Sequence, residues 1–297
     1  SLLFAWNRNY WLLVSLGVVL ASLAATASPQ LFALAREYAD SRKKRADMFS
    51  SVLRAQFSLA WVIGPPIAFA LAIGYGFEVM YLASAFAYLV CALVVWRWLP
   101  SLPLPTPNNE VERVSSWRDP SVRALFIAST LMWTCNSMYL INMPLYITRE
   151  LGLEEKLAGV LMGTAAALEI PFMLLAGYYT QRFGKRPMML VAVLAGVFFY
   201  VGLVTLSSQP ALIALQLLNA IFIGIVAGIG MSYFQDLMPG RAGVATTLFA
   251  NSIRTGSIMA GAIAGTVAEI WSFHGVFMVA TALAMAALAA CWRVPNV

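Results

Sequence analysis

Charge is scarce in this chain. Aspartate, glutamate, lysine and arginine make up 11% of its 297 residues, whereas 61% are apolar and the mean hydropathy is +0.78. That balance excludes an ordinary soluble globular domain. Histidine is rarer still: His274 is the sole example, which leaves little room for a conventional catalytic triad. Neither H-E-x-x-H nor G-x-S-x-G occurs, and the run from Gly177 to Gly184 ahead of Lys185 and Arg186 has the wrong spacing for a P-loop. An enzyme, an ATP-driven pump, a metal site and a bound cofactor are therefore not expected. Cys91, Cys135 and Cys291 each sit in an apolar segment, without the paired spacing of a disulfide framework or a zinc site. Also missing are an initial Met and a basic leader: the chain opens SLLFAWNRNY, reads as cut, and does not start with a signal peptide.

What is abundant is apolar sequence in helix-length blocks. They recur at about 11–35, 48–74, 78–99, 122–148, 157–181, 187–207, 210–234, 243–270 and 274–292, each long enough to cross a bilayer. The strict two-residue alternation of a membrane β-barrel is absent, so the class expected is an all-α membrane protein with about nine transmembrane helices. Alternating the loops across the bilayer gathers the basic residues, among them Arg36, Arg42 to Arg45, Arg97, Arg113, Arg118, Arg123, Arg182, Lys185, Arg186, Arg241 and Arg293, on one side. Only Arg8, Arg149 and Lys156 fall opposite. The rich side is then cytoplasmic and holds the C-terminus. The net charge of +6 is accounted for by topology and implies no nucleic-acid partner.

The long polar interruption PSLPLPTPNNEVERVSSWRDPS reads as a cytoplasmic linker over 101–121. Three spans precede it and six follow. Laid over each other without a gap, 45–72 and 241–268 match Arg45-Ala46 with Arg241-Ala242, Ser50-Ser51 with Thr246-Thr247, and Gly64 with Ala260. The early spans thus fall on the last three. Residues 1–100 are expected to be what remains of an N-terminal six-helix half (the end of helix 3 and helices 4 to 6). Residues 122–297 are the C-terminal half (helices 7 to 12), giving twelve helices in the parent chain. Parallel six-helix repeats of this kind bind substrate at the interface of the halves near the midplane.

Several polar residues lie inside these blocks. Arg54 stands roughly 12 Å along its helix, within an apolar slab about 30 Å thick. Ser58 and Trp61 share its face at four and seven residues' distance. Indole stacks on sugar C–H groups and polar heads bond hydroxyls, so this row suits a sugar; the alternative is an arginine that snorkels to the headgroups. Glu169 is the only acid deep in an apolar span. A lone carboxylate in hydrocarbon finds a partner or takes up a proton, which is what proton coupling needs. Further substrate-binding candidates are Trp133 with Asn136, Gln216 with Asn219, and Asn251 with Arg254, each pair on one helix face. Single intramembrane amides also serve as packing glue between helices. The G-x-x-x-G pairs Gly159/Gly163, Gly224/Gly228 and Gly261/Gly265 are read as sites of close helix approach. Asp236 and Glu269, near helix ends, are read as interfacial.

GYYTQRFGKRP resembles the Gly-x-x-x-Asp-Arg-x-Gly-Arg/Lys-Arg/Lys loop of the major facilitator superfamily. Gly177, Arg182, Gly184, Lys185 and Arg186 match it as a gating loop, while Gln181 stands where that pattern has Asp. WVIGPPIAFALAIG is similar to the antiporter motif of proton-coupled exporters, matched by Gly64 and Pro65. The stretches QLFALAREYAD, MFSSVLRAQFSLAWVIGPP, STLMWTCNSMYLINMPL, KLAGVLMGTAAALEIP and LLNAIFIGIVAGIGMSYFQDLMPGRAG resemble the bacterial sugar efflux transporters. The resemblance implies the major facilitator fold and proton-driven export of sugars or glycosides across the bacterial inner membrane. It implies sugar, proton and lipid as partners, with no obligate protein partner. It also implies that the helices of Arg54 and Glu169 meet across the two halves. A multidrug/proton antiporter and a non-transporting membrane sugar sensor are the alternatives.

Overall fold

The computed structural model describes residues 2–7, 9–24, 26–41, 46–99 and 119–296, apart from some side chains within its first four helices and that of Glu155. Most of the linker expected at 101–121 lies outside these residues, as do Arg42 to Arg45. All the regular elements described are helices: α1 (Leu2–Trp6), α2 (Tyr10–Ala24), α3 (Ala27–Ser41), α4 (Ala46–Trp98), α5 (Pro120–Leu145), α6 (Glu155–Phe183), α7 (Lys185–Thr205), α8 (Gln209–Leu237), α9 (Ala242–Ile270) and α10 (Phe273–Trp292).

Local chemistry sets where they start and stop. Gly76, at φ 89°, breaks α4 into 46–75 and 77–98, the two spans expected there, in a conformation that side-chain-bearing residues rarely adopt. Asp119 caps α5 by accepting from the Ser121 amide at 2.7 Å, and Pro120 follows at the first helical position, where its missing N–H costs nothing. Pro144 interrupts the hydrogen-bond ladder near the other end of α5, and the helix continues as a single wider turn, Tyr146–Glu150. Ser272 caps α10 through the Gly275 amide.

Among the described residues, seven segments are long and apolar enough to cross a membrane: Tyr10–Ala39, Gly74–Trp98, Pro120–Glu150, Lys156–Phe183, Lys185–Thr205, Gln209–Leu237 and Phe273–Trp292. The spans expected at 48–74 and 243–270 are helical and of similar length but stand outside those seven; these are the helices that carry Arg54 with Gln56, and Asn251 with Arg254. The helices from α5 to α10 pack into one body, with α8 against α6 and α7, and α5 against α9 and α10. The first part of the chain lies along its side: α4 touches α6 and α8, and α3 touches α9.

The glycine pairs behave differently from one another. A Cβ on Gly224 would stand 2.8 Å from Phe172 Cβ and 2.9 Å from the Glu169 carbonyl, so α8 lies directly on the backbone of α6. Gly228 continues that contact along Met173. At Gly159, Gly163, Gly261 and Gly265 an added Cβ would meet nothing within 4 Å, so the expected close approach is made at one of the three pairs. The other two turn away from their packed neighbours.

Candidate functional site

A cavity of about 430 Å3 opens between α4, α5, α6, α8 and α9. Of the residues singled out in the sequence, it brings together Arg54, Trp133, Asn136, Glu169 and Asn219. The guanidinium of Arg54 lies over two rings, Phe32 of α3 at 4.5 Å and Phe249 of α9 at 5.0 Å. Cations are drawn to the negative faces of aromatic rings, so this clamp holds the head in the cavity wall rather than extended to the headgroups. Phe249 also meets the Trp133 ring edge-on. Arg54 lies within the field of the Glu169 carboxylate on the facing wall. Glu169 is half-buried, two residues before Pro171, which cannot donate to the carbonyl one turn back in α6.

Among the described residues, seven buried side-chain nitrogen or oxygen atoms have no hydrogen-bond partner, and three of them belong to residues of this wall: Nε of Arg54, Nε1 of Trp133 and Oδ1 of Asn219. Leaving such atoms dry and unpaired costs about 1–3 kcal/mol each. Asn219 is held by a short chain behind the wall. Its Nδ2 donates to Gln216 Oε1 at 3.2 Å, the same oxygen accepts from the Tyr139 hydroxyl at 3.0 Å, and Gln216 Nε2 donates to the Leu212 carbonyl. Gln216, fully buried, thus sits behind the cavity and fixes the Asn219 side chain in its wall. Ser137 and Ser257, not anticipated from the sequence, bridge α5 and α9 at 3.1 Å on the same wall. The remaining surface is apolar: Phe57, Leu140, Met162, Met173, Ile223 and Ile253.

Other candidates lie elsewhere. Asn251 and Arg254 are exposed on α9, away from this wall. The side chains of Ser58, Trp61 and Pro65 lie outside those described. Gly64 is exposed within α4.

The gating-loop residues form a second cluster, at the basic end of the helices. Gly177 is buried in the last turns of α6, and the exposed Arg182 lies over the Phe183 ring. Gly184 joins α6 to α7 at φ 80°, and a Cβ there would lie 2.5 Å from the Asn296 side chain. Arg186 donates to the Trp292 carbonyl at 2.7 Å, tying the loop to the end of α10. Lys185, 1% exposed, donates to the Ser232 carbonyl and pairs closely with Asp236 at the end of α8. Asp236 in turn binds Arg36 of α3 at 2.9 Å. The loop lacks its own acid at Gln181, and α8 supplies one. Arg36 and Asp236 were not expected to meet, yet the repeat carried a signal. Extended by five residues, it lays Asp236 over Asp40, so each half ends a helix with an acid just before a basic loop.

An all-α membrane protein with a central cavity between packed helices and a basic loop cluster at one end is the arrangement of a membrane transporter. Residues 1–253 and 125–297 match the Major Facilitator Superfamily. The chain is 58% identical over 300 residues to Sugar efflux transporter A of Escherichia coli K12, all of this chain and 76% of that protein. It is 56% identical to Sugar efflux transporter B of Salmonella typhimurium LT2, with 99% of this chain and 75% of the relative covered. A more distant likeness, 25% identity over 55% of this chain and 41% of the relative, is to the multi-drug resistance efflux pump PmrA of Streptococcus pneumoniae. Among solved structures, a bacterial homologue of the iron transporter ferroportin in an outward-facing state has the same fold, with a TM-score of 0.67 at 19% identity over 99% of this chain and 76% of that one. The chain belongs to the sugar efflux transporter family of the major facilitator superfamily. It is a multi-pass membrane protein.

Proposed function

We propose that this protein exports sugars or glycosides across the bacterial inner membrane in exchange for protons, by alternating access. In this reading residues 1–100 belong to an N-terminal half (the end of helix 3 and helices 4 to 6), 101–121 to a cytoplasmic linker, and 122–297 to the C-terminal half, whose end is cytoplasmic. The observation that carries the proposal is the convergence of Arg54, Trp133, Asn136, Asn219 and Glu169 on one cavity. Sugar hydroxyls both donate and accept, so they suit a wall that carries a guanidinium, an indole N–H, an amide and a carboxylate. Asn136 adds a second amide.

Glu169 couples this site to the proton gradient. Ionised, it accepts from sugar hydroxyls and faces the Arg54 guanidinium; protonated, it loses most of that acceptor strength. Sugar and proton then bind in mutual exclusion, which is the requirement of an exchanger. At the basic end, Asp236 holds Arg36 and Lys185 together and closes the cytoplasmic side, with Gly177, Arg182, Gly184 and Arg186 forming the hinge loop around it. Gly64 and Pro65 contribute the antiporter motif on the opposite half.

The apolar share of the wall, from Leu140, Met162, Met173, Ile223 and Ile253, favours a second reading, an exporter of lipophilic compounds. Uptake of a labelled disaccharide into inverted vesicles carrying the protein at its natural full length, with and without an imposed proton gradient, separates the two. Gradient-driven uptake that unlabelled sugars suppress and a lipophilic cation does not is the expected result. Suppression by the cation alone points to the second reading. Absence of uptake of either, in correctly inserted protein, points to a sensor.

A further inference from the structure

We propose that the furrow between α5 and α10 at the basic end of the molecule binds an anionic phospholipid. The furrow encloses about 500 Å3, is separate from the central cavity, and is lined among others by Ser121, Arg123, Ile127, Ala286, Ala289 and Arg293. Its polarity is graded along the helices. Arg123 and Arg293 stand at the mouth, near the ends of their helices, and both are exposed. Ile127 lies one turn deeper on α5, about 6 Å further in, and Ala289 and Ala286 lie one and two turns deeper on α10. The floor is therefore apolar and narrow, and the rim carries two guanidinium groups.

Four nearby cations are engaged: Lys185 and Arg36 by Asp236, Arg186 by the Trp292 carbonyl, and Arg182 by the ring of Phe183. Among the described residues, no side-chain hydrogen bond or ion pair holds Arg123 or Arg293. Asp119, the acid nearest in sequence to Arg123, accepts from the Ser121 amide as the cap of α5. A pair of forked donors at headgroup depth matches a phosphate, with which arginine bonds in a bidentate manner. The apolar floor beneath is of no use to a free phosphate ion but receives the first methylenes of an acyl chain. Basic pockets between transmembrane helices take anionic headgroups for this reason.

The test is a lipid titration of the purified protein in detergent, followed by intact-complex mass spectrometry, comparing dioleoylphosphatidylglycerol with dioleoylphosphatidylcholine. Wild type is expected to bind phosphatidylglycerol roughly tenfold more tightly. That preference should fall below about twofold in Arg123→Gln/Arg293→Gln and in Ala289→Phe, which fills the floor while keeping both arginines. Arg149→Gln, at the opposite end, should leave it unchanged. Equal binding of the two lipids by wild type, or an unchanged preference in the double variant, overturns the proposal. So does full displacement by glycerol phosphate, which would mark a headgroup-only site. Binding that emerges only after Glu110→Gln/Glu112→Gln also overturns it, because the linker would then be the occupant.

Discussion

The segments Gly74–Trp98 and Gln209–Leu237 are almost equally apolar, yet none of the most apolar stretch of the first is buried within the protein, against 72% of the second. In water such a difference would be written into hydropathy, because exposed and buried faces see different solvents. In a bilayer the outside is as apolar as the inside, and hydropathy reports only that a segment crosses. What distinguishes α8 is its small and polar residues: Gly224 and Gly228 admit the backbone of α6, and Gln216 and Asn219 find partners across and along the bundle. The second part of α4 has Tyr75, Phe77, Phe86, Tyr88, Trp96 and Trp98 exposed. Among the described residues it is met by α1, which reaches it through Phe4 stacked on Tyr81 at 5.8 Å and the Trp6 indole N–H donating to Glu78 at 2.8 Å.

The comparison is sharpened most directly in the central cavity, which α8 lines with Asn219, Ala220, Ile223 and Ala227 and to which Gly74–Trp98 contributes none of its described residues. Glu169→Gln is expected to abolish gradient-driven sugar uptake, a loss well beyond tenfold, or more than about 1.4 kcal/mol in the coupled step. Sugar binding should persist but lose its pH dependence; in wild type it should weaken as pH falls and Glu169 takes up its proton. Binding isotherms at several pH values check this, and a pH-dependent Glu169→Gln protein would place the coupling proton elsewhere.

At the basic end, Asp236→Asn and Arg36→Gln remove the two members of one ion pair and should not cost the same. Asp236→Asn leaves Lys185 buried without its carboxylate, and breaking such a buried pair costs about 3–5 kcal/mol. Arg36 is partly exposed, and its removal leaves Asp236 still paired with Lys185, so its loss is expected to cost about 1 kcal/mol or less. Thermal unfolding in detergent measures the difference. Equal shifts would mean that Lys185 finds another counter-charge.

Gly224→Ala and Gly261→Ala compare a glycine packed on backbone with one facing open space. The first adds a methyl group 2.8 Å from Phe172 and is expected to cost about 1–3 kcal/mol as overpacking. The second meets nothing within 4 Å and, through better helix propensity, should be neutral or slightly stabilising. Both were the same G-x-x-x-G pattern in sequence.

That pair of glycines shows where the sequence stops being informative. Crossing segments, the break near Gly76 and the loop with Lys185 were legible, because apolar length, turn residues and clustered charge are local properties. Which face of a helix turns inward was not, since lipid and protein interior reward the same side chains. The cavity was half legible. Arg54, Glu169, Trp133, Asn136 and Asn219 stood out as polar groups in an apolar medium, whose cost implies a use. Phe32 and Phe249, which clamp Arg54, are ordinary apolar residues in a chain that is 12% aromatic, and no pattern marks them. Asn251 and Arg254 carried the same signal as Asn219, yet α9 turns them away from the cavity wall. The ion pair of Arg36 with Asp236 joins residues on opposite sides of the linker; the repeat marks the acid, and the fold supplies its partner.

The smallest expected effect reports on support behind the wall rather than on the wall itself. Tyr139 is buried, lies outside the cavity, and donates its hydroxyl to the Gln216 oxygen that also accepts from Asn219. With that donor present, Gln216 Oε1 is shared between Tyr139 and Asn219, and the Asn219 side chain is fixed in the cavity wall. Tyr139→Phe removes one hydrogen bond and no volume, a change of about 0.5–1.5 kcal/mol. Gln216 Oε1 is then held by Asn219 alone, and the Asn219 amide is less firmly fixed toward the sugar. The half-saturation concentration for sugar uptake should rise a few-fold while the maximal rate is unchanged, because the coupling carboxylate on α6 is untouched. A fall in maximal rate with unchanged half-saturation would instead tie the Tyr139 chain to the movement of α5 against α8.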